Sequence, residues 1–432
     1  MKTFKFFALL GLVGLLFTTG CDKDEDPLNL MITTITADGT SFSTGSAVTK
    51  DLNGASSATD VPLNANITIT FDKAPDVTSI SSSTIALTSD AGGIGGTVTS
   101  SGNSIVVDPE TDFQRGTIYT ISISGLKAAD GGLFTNTSRT FTTEGRAPVV
   151  VPNASSMIAY WTFDGHYDDE TGTYNGNYAD AITYGDDRHG QGNSTATFDG
   201  DKSIIEVPNA QGLMASNDFT LSFWVKTNSN GHVNANGDPA GYFVMGMAAF
   251  FGFQFEIPAD FGSCKLACSY EMGDGTFESE DTWFPGDGKD KDNGGWQGWD
   301  FVADLTGSGG VPSLLQDKWA HIICVYNAAE KQGRMYINGD LMKSWDFDLW
   351  PDGAAKKTAV GVGYRGVSPE TEPELAFGFI QSRAGTLWDT EPWGGYDFPT
   401  ANHFKGDLDD IRIFSAAYSE ADAKALYDAE KN

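Results

Sequence analysis

The chain has 432 residues, with 58 Asp and Glu against 27 Lys and Arg, for a formal net charge of −31. Such an acidic balance repels DNA, RNA and anionic lipid, because nucleic-acid binding needs a basic footprint; it suits a neutral or cationic partner, or bound cations. Only five histidines and four cysteines are present, and no Cys/His array has zinc spacing, which argues against a zinc site.

Residues 1–20 read as a processing segment. Lys2 and Lys5 precede an apolar run at 6–17, too short for a spanning helix of about 20 residues. Thr18-Thr19-Gly20-Cys21 then resembles a bacterial lipobox, which implies a signal peptide over 1–20 and lipidation at Cys21. An ordinary cleaved signal with an incidental Cys is the other reading. Residues 21–54 are expected as an acidic tether and entry segment. Asp22-Lys23-Asp24-Glu25-Asp26-Pro27 is solvated and cannot pack, and it resembles the acidic surface-export signal of Bacteroidetes lipoproteins. The resemblance implies an outer-membrane protein, held by lipid alone and facing outward; a periplasmic spacer is the alternative.

The next segment is rich in Thr, Ser, Gly and Val. Ile67-Thr68-Ile69-Thr70-Phe71, Ser104-Ile105-Val106-Val107 and Ile118-Tyr119-Thr120-Ile121-Ser122-Ile123 alternate at the two-residue period of strands, which predicts a β-sandwich. The stretches Ala58-Thr59-Asp60-Val61-Pro62-Leu63-Asn64 and Gly125-Leu126-Lys127-Ala128-Ala129-Asp130-Gly131 resemble the bacterial Ig-like domain of S-layer and surface proteins. The domain is placed at 55–145, and the resemblance implies a spacer. Two prolines, Pro148 and Pro152, mark a stiff linker over 146–156.

Residues 157–432 open with Tyr160-Trp161-Thr162-Phe163-Asp164-Gly165 and close with Lys405-Gly406-Asp407-Leu408-Asp409-Asp410-Ile411-Arg412-Ile413-Phe414. Between them Phe219, Leu221, Phe223 and Val225 alternate with Thr220, Ser222, Trp224 and Lys226. Asn338-Gly339 predicts a hairpin turn, and Ser419 with Asp422 predicts the capped start of a helix over 419–427. The series resembles the laminin-G-like, concanavalin A-like jelly roll, which implies two packed antiparallel sheets and, most often, glycan binding. The fold class expected is all-β: an Ig-like sandwich, then a jelly roll with one short C-terminal helix.

Three kinds of chemistry are candidates. Ile411 and Ile413 want the core, so alternation points Asp409 inward, where a buried carboxylate needs a partner. The laminin-G-like resemblance implies that the first and last strands are neighbours, which would bring Asp164 and Asp168 close to it, and several oxygens at one point suit Ca²⁺; the alternative is pairing with backbone, Lys or Arg. A weaker calcium candidate is the acidic loop with Asp287, Asp290 and Asp292, which departs from the EF-hand order. Trp161, Trp224 and Trp319 fall on framework strands. Trp283, Trp296, Trp299, Trp345, Trp350, Trp388 and Trp393 fall outside it. They either fill the small cores of insertions or form a platform for the flat C–H faces of sugars, with Asp287, Asp300, Asp389, Glu391 and Asn402 nearby in sequence. The ligand-binding candidates are Trp283, Trp296, Trp299, Trp350, Trp388 and Trp393.

Catalysis finds less support. The related glycosidases carry two glutamates on one strand with an aspartate between. Pro258 interrupts that pattern at Glu256-Ile257-Pro258-Ala259-Asp260, and Thr282 ends it at Glu278-Ser279-Glu280-Asp281-Thr282. No catalytic residue is assigned. The expected function is non-catalytic carbohydrate binding by a lipid-anchored surface protein. Adhesion to a protein partner is the alternative, and a glycoside hydrolase or polysaccharide lyase is the third reading. Cys264 and Cys268 would lie ~13 Å apart on a straight strand, beyond disulfide reach, and Cys324 reads as a buried thiol.

Overall fold

The structure is a computed structural model that describes residues 28–54, 56–286 and 299–431, the side chains at 299 and 300 excepted. Cys21, the acidic tether and the loop with Asp287, Asp290, Asp292 and Trp296 lie outside the described residues.

The N-terminal domain packs two five-stranded sheets face to face. Asn66–Phe71 shows why: Ile67, Ile69 and Phe71 are buried while Asn66, Thr68 and Thr70 face outward. Tyr119 is buried against Phe113 and Phe141, and its hydroxyl accepts the Gln114 N–H at 2.9 Å. Asp130 closes its turn by accepting the Gly132 N–H at 3.0 Å. The domain begins earlier than residue 55. Ile32–Thr40 and Ala47–Asp51, placed in the entry segment from the sequence, form the edge of the first sheet. The only fully hidden side chains of Ile32–Thr40 are Ile35 and Ala37, too few to make its alternation legible.

The C-terminal domain is a second sandwich of a nine-stranded and an eight-stranded sheet. In Phe219–Thr227, Phe219, Leu221, Phe223 and Val225 enter the core, as alternation predicts. The opposite face is also covered. Helix Glu420–Glu430 lies there, and Thr220, Ser222 and Trp224 are buried. Its N-terminus carries the expected capping box: Ser419 Oγ accepts the Asp422 N–H at 3.1 Å and Asp422 Oδ2 accepts the Ser419 N–H at 3.0 Å, worth about 1 kcal/mol. Ala423 and Leu426 pack on Ile323, Val325, Tyr336 and Phe414. The hairpin turn is where Asn-Gly put it, with φ of 53° at Asn338 and 80° at Gly339. The first and last strands are neighbours, with Trp161 opposite Ile411. A second, four-residue helix, Pro312–Leu315, was not anticipated.

Candidate functional site

The outer face of the eight-stranded sheet holds the cleft with the richest chemistry. Phe253–Ile257 sends Phe253, Phe255 and Ile257 into the core, so Gln254 and Glu256 point the other way. Cys264–Met272 does the same with Cys264, Leu266 and Cys268, leaving Lys265 outward. The register sets Glu256 opposite Lys265, Lys265 opposite Trp283 and Ala267 opposite Asp281. These pairings bring three charges together. Lys265 Nζ lies 3.0 Å from Glu256 Oε1 and 3.2 Å from Asp281 Oδ2, and 5.0 Å from the centre of the Trp283 ring. Gln254 donates to Glu256 Oε2 at 2.8 Å. Burial pushes the Glu256 carboxyl above its ordinary range, against the pull of Lys265.

One wall comes from far along the chain. After strand Leu375–Phe377 the chain returns over this face, where Phe379 and Ile380 pack with Ile204 and Phe243. It carries Trp388 and Trp393, whose ring centres are 5.0 Å apart at 47°. Trp388 rests on Phe250 at 5.5 Å and Trp393 on Phe243 at 6.1 Å. The hollow bounded by this wall and the polar floor measures about 660 Å³, and an adjoining one of about 300 Å³ shares Phe243, Glu256 and Asn402 and reaches Trp283. The combined size and the mix of aromatic and polar lining are those of a small-ligand site.

Of the six tryptophans singled out, Trp388 and Trp393 line the larger hollow and Trp283 the one adjoining it. Trp350 lines neither. It packs against the sandwich core, 6.0 Å from Phe347, with the Lys356 ammonium 4.8 Å from its ring. Trp345, set apart from the framework with it, is buried too. Trp299 pairs with Trp345 on strand Trp299–Val302, without a described side chain. The sequence reading missed Phe243, Phe250, Gln254 and Lys265. The signal available for Gln254 was the strict alternation of Phe253–Ile257.

The proposed calcium ligands are not gathered. A bulge at Asp409-Asp410 separates Trp224, opposite Asp409, from Ser222, opposite Arg412. It resets the alternation: Leu408, Ile411 and Ile413 take the core, and Asp409 points away from it. There Arg188 Nη1 donates to Asp409 and Arg188 Nη2 to Asp410 at 2.6 Å. Asp164 pairs with Arg115 of the Ig-like domain, and Asp168 is exposed. Guanidinium groups thus supply the positive charge that a cation was expected to bring, and no group of three or more His, Cys, Asp or Glu side chains suited to a metal is present among the described residues.

Asp409 belongs to a buried ionic cluster beneath the helix. Arg412 bonds Glu430 and lies 3.2 Å from Asp410, and its guanidinium stacks 3.9 Å from the Tyr160 ring centre. Glu430 Oε2 accepts the Trp224 indole N–H at 2.7 Å. Burial and the Asp410 charge push Asp409 well up, whereas Arg412 and Arg188 hold Asp410 low despite its burial. Ser222 Oγ is 2.8 Å from His321 Nε2, but Ser222, His321 and Glu430 are all fully enclosed, and the same nitrogen faces both serine and carboxylate. That is packing, not a nucleophile with its base. Glu280 points through the sheet to Lys356. Cys264, Cys268 and Cys324 are buried free thiols.

The two domains touch through side chains. Besides Arg115 and Asp164, Asn193 donates to the Phe42 carbonyl at 2.6 Å and Arg146 to the Glu430 carbonyl at 3.2 Å. A cavity of about 380 Å³ lies at this junction.

No curated protein matches the chain. Solved structures that resemble it include the binding domain of Paraclostridial Mosquitocidal Protein 1, at 16% identity over 63% of this chain and 52% of that one, TM-score 0.39. The binding domain of botulinum neurotoxin serotype D follows at 15% identity, over 64% and 52%, TM-score 0.38. The serotype D ligand binding domain in complex with N-acetylneuraminic acid stands at 14%, over 64% and 51%, TM-score 0.38. The chain spans about half the length of these structures. Residues 33–143 match the family model of the bacterial Ig-like domain, and residues 199–371 match that of the concanavalin A-like lectin/glucanases superfamily. The chain thus carries a bacterial Ig-like domain followed by a jelly roll of the concanavalin A-like lectin/glucanase type.

Proposed function

We propose that the jelly roll binds carbohydrate without cutting it, at the cleft between Trp283, Trp388 and Trp393. The observation that carries this reading is their convergence: rings from two separate stretches of chain, Trp388 with Trp393 and Trp283, flank a floor of Gln254, Glu256, Lys265 and Asp281. Aromatic faces cover sugar C–H surfaces while carboxylate and amide oxygens take hydroxyl hydrogens. In this reading Cys21 is the lipid anchor in the outer membrane, the cleft faces outward, and the Ig-like domain is the spacer. A polysaccharide microarray probed with residues 22–432 tests it, with the double variant W388A/W393A as the control. Saturable binding lost in the variant supports the reading; silence on every polysaccharide rejects it. The same array in EDTA reads any contribution from calcium. Radiolabelled palmitate incorporation, abolished by Cys21→Ala, tests the anchor, and protease shaving of intact cells tests the outward face.

One observation favours hydrolysis as the second reading: Glu256, held protonated more readily by burial, lies on the same floor as Asp281, with Lys265 between them. Against it, the Lys265 ammonium pairs with both carboxyls. Release of reducing ends from a bound polysaccharide, abolished by Glu256→Gln, would establish hydrolysis in place of simple binding.

A further inference from the structure

We infer that the cleft binds a run of about four linked sugar units in preference to a single sugar, laid across both hollows with Asn402 donating at their junction. This rests on the carbohydrate-binding reading above and specifies the size and form of its ligand.

Two independent observations carry it. The first is space. The larger hollow measures about 660 Å³ and the adjoining one about 300 Å³. A hexose unit at the packing density of a protein interior fills roughly 200 Å³, so the two spaces match about three units and one. Trp388 and Trp393 line the larger hollow and Trp283 the smaller, while Phe243, Glu256 and Asn402 are common to both. A lone sugar would leave most of the larger hollow to water and would reach aromatic rings at one end only. A chain that crosses the shared waist meets apolar faces at both ends. Its later units are tethered to the first and bind without a second loss of translational freedom, so affinity grows with length until the hollows are filled. The second observation is a fixed donor at that waist. The Asn402 backbone N–H donates to the Trp393 carbonyl at 3.1 Å, and its carbonyl accepts the Phe243 N–H at 2.9 Å. Its Oδ1 accepts the Gly241 N–H at 2.9 Å, which sets the orientation of the side-chain amide. Nδ2 has no acceptor among the described residues. An amide nitrogen only donates, and each unit of a glycan chain offers acceptor oxygens at its ring, linkage and hydroxyl positions. The donor is thus held in place before the ligand arrives, where a chain passes from one hollow to the other.

The test uses residues 22–432 on an array of mannan, xylan, β-glucan, chitin and pectin. Oligomers of one to about six units, prepared from the polysaccharide bound most tightly, are then titrated by calorimetry. The expected result is affinity that rises with length, levels off near four units and stands at least about a hundredfold above that of the monomer. Trp283→Ala, at the smaller hollow, should lower tetramer affinity about tenfold and leave the dimer within about twofold. Trp393→Ala, at the larger hollow, should weaken dimer and tetramer alike. Asn402→Asp keeps an acceptor for the Gly241 N–H and replaces the donor with a carboxylate oxygen; it should lower tetramer affinity about tenfold with melting unchanged. Equal affinity for monomer and tetramer, or a Trp283→Ala protein with the length profile of wild type, overturns the inference while leaving glycan binding standing. Wild-type affinity in Asn402→Asp overturns the donor at the junction. Silence across the whole array overturns both the inference and the carbohydrate reading.

Discussion

Trp224 donates its indole N–H to Glu430 at 2.7 Å, tying the middle of the nine-stranded sheet to the last turn of the helix that covers it. The same carboxylate neutralises Arg412, so a single side chain holds a buried indole and a buried guanidinium. Removing one partner of such a pair leaves an uncompensated charge in the interior. Glu430→Ala should therefore cost about 3–5 kcal/mol, read as an early jelly-roll transition in urea. Loss of less than about 1 kcal/mol would mean that Arg412 finds water instead.

Arg188 against Asp409 makes a second prediction, about metal. Since guanidinium groups engage Asp409 and Asp164, Asp168→Asn should leave the response of melting temperature to calcium and EDTA identical to wild type. Arg188→Met should destabilise by about 3 kcal/mol or more, and millimolar calcium should not restore it. Rescue by calcium would revive a carboxylate site at these residues.

The tryptophans separate by what their loss changes. Trp393, 40% exposed at the cleft, should cost about tenfold in glycan affinity on truncation to Ala, near 1.4 kcal/mol, with melting nearly unchanged. Trp350→Ala should do the reverse, lowering stability by about 2 kcal/mol and sparing affinity. Equal affinity losses would place both rings in one binding surface.

His321 predicts a pH dependence. Full burial between Trp224 and Tyr427, with Arg188 and Arg412 nearby, pushes its pKa down from 6.5 to about 3. The unfolded chain therefore takes the proton first. The stabilisation is complete above about pH 6.5 and is lost as pH falls from there towards 3, by at most about 1.4 kcal/mol per unit. The difference in unfolding free energy between wild type and His321→Gln should shrink by about 2 kcal/mol between pH 7 and pH 5. Parallel pH curves would show that His321 titrates normally.

Both sandwiches were legible because their strands alternate and their turns carry explicit signals, as at Asn338-Gly339 and Ser419. The cleft was half legible. Trp388 and Trp393 stood out as large aromatics beyond the common framework, and they lie past the end of the matched jelly-roll span. Lys265 did not stand out, since its meaning comes from register with Glu256 and Trp283, which alternation alone does not give. The expectation that Asp409 points inward as a calcium ligand failed at one residue. Alternation carried from Ile411 back to Asp409 assumes an unbroken pleat, and the bulge adds a position. Its true partner, Arg188, lies 221 residues away in sequence.

The contacts joining the two domains have a mechanical consequence. Arg115 grips Asp164, Asn193 holds the Phe42 carbonyl, and Arg146 reaches the helix that closes the jelly roll. The linker between them is also fastened, with the Tyr418 hydroxyl bonded to the Pro152 carbonyl. Tension applied at the Ig-like domain would be shared between these joints and the linker. Load would then reach the jelly roll at Asp164, Asn193 and Glu430, and not through the linker alone.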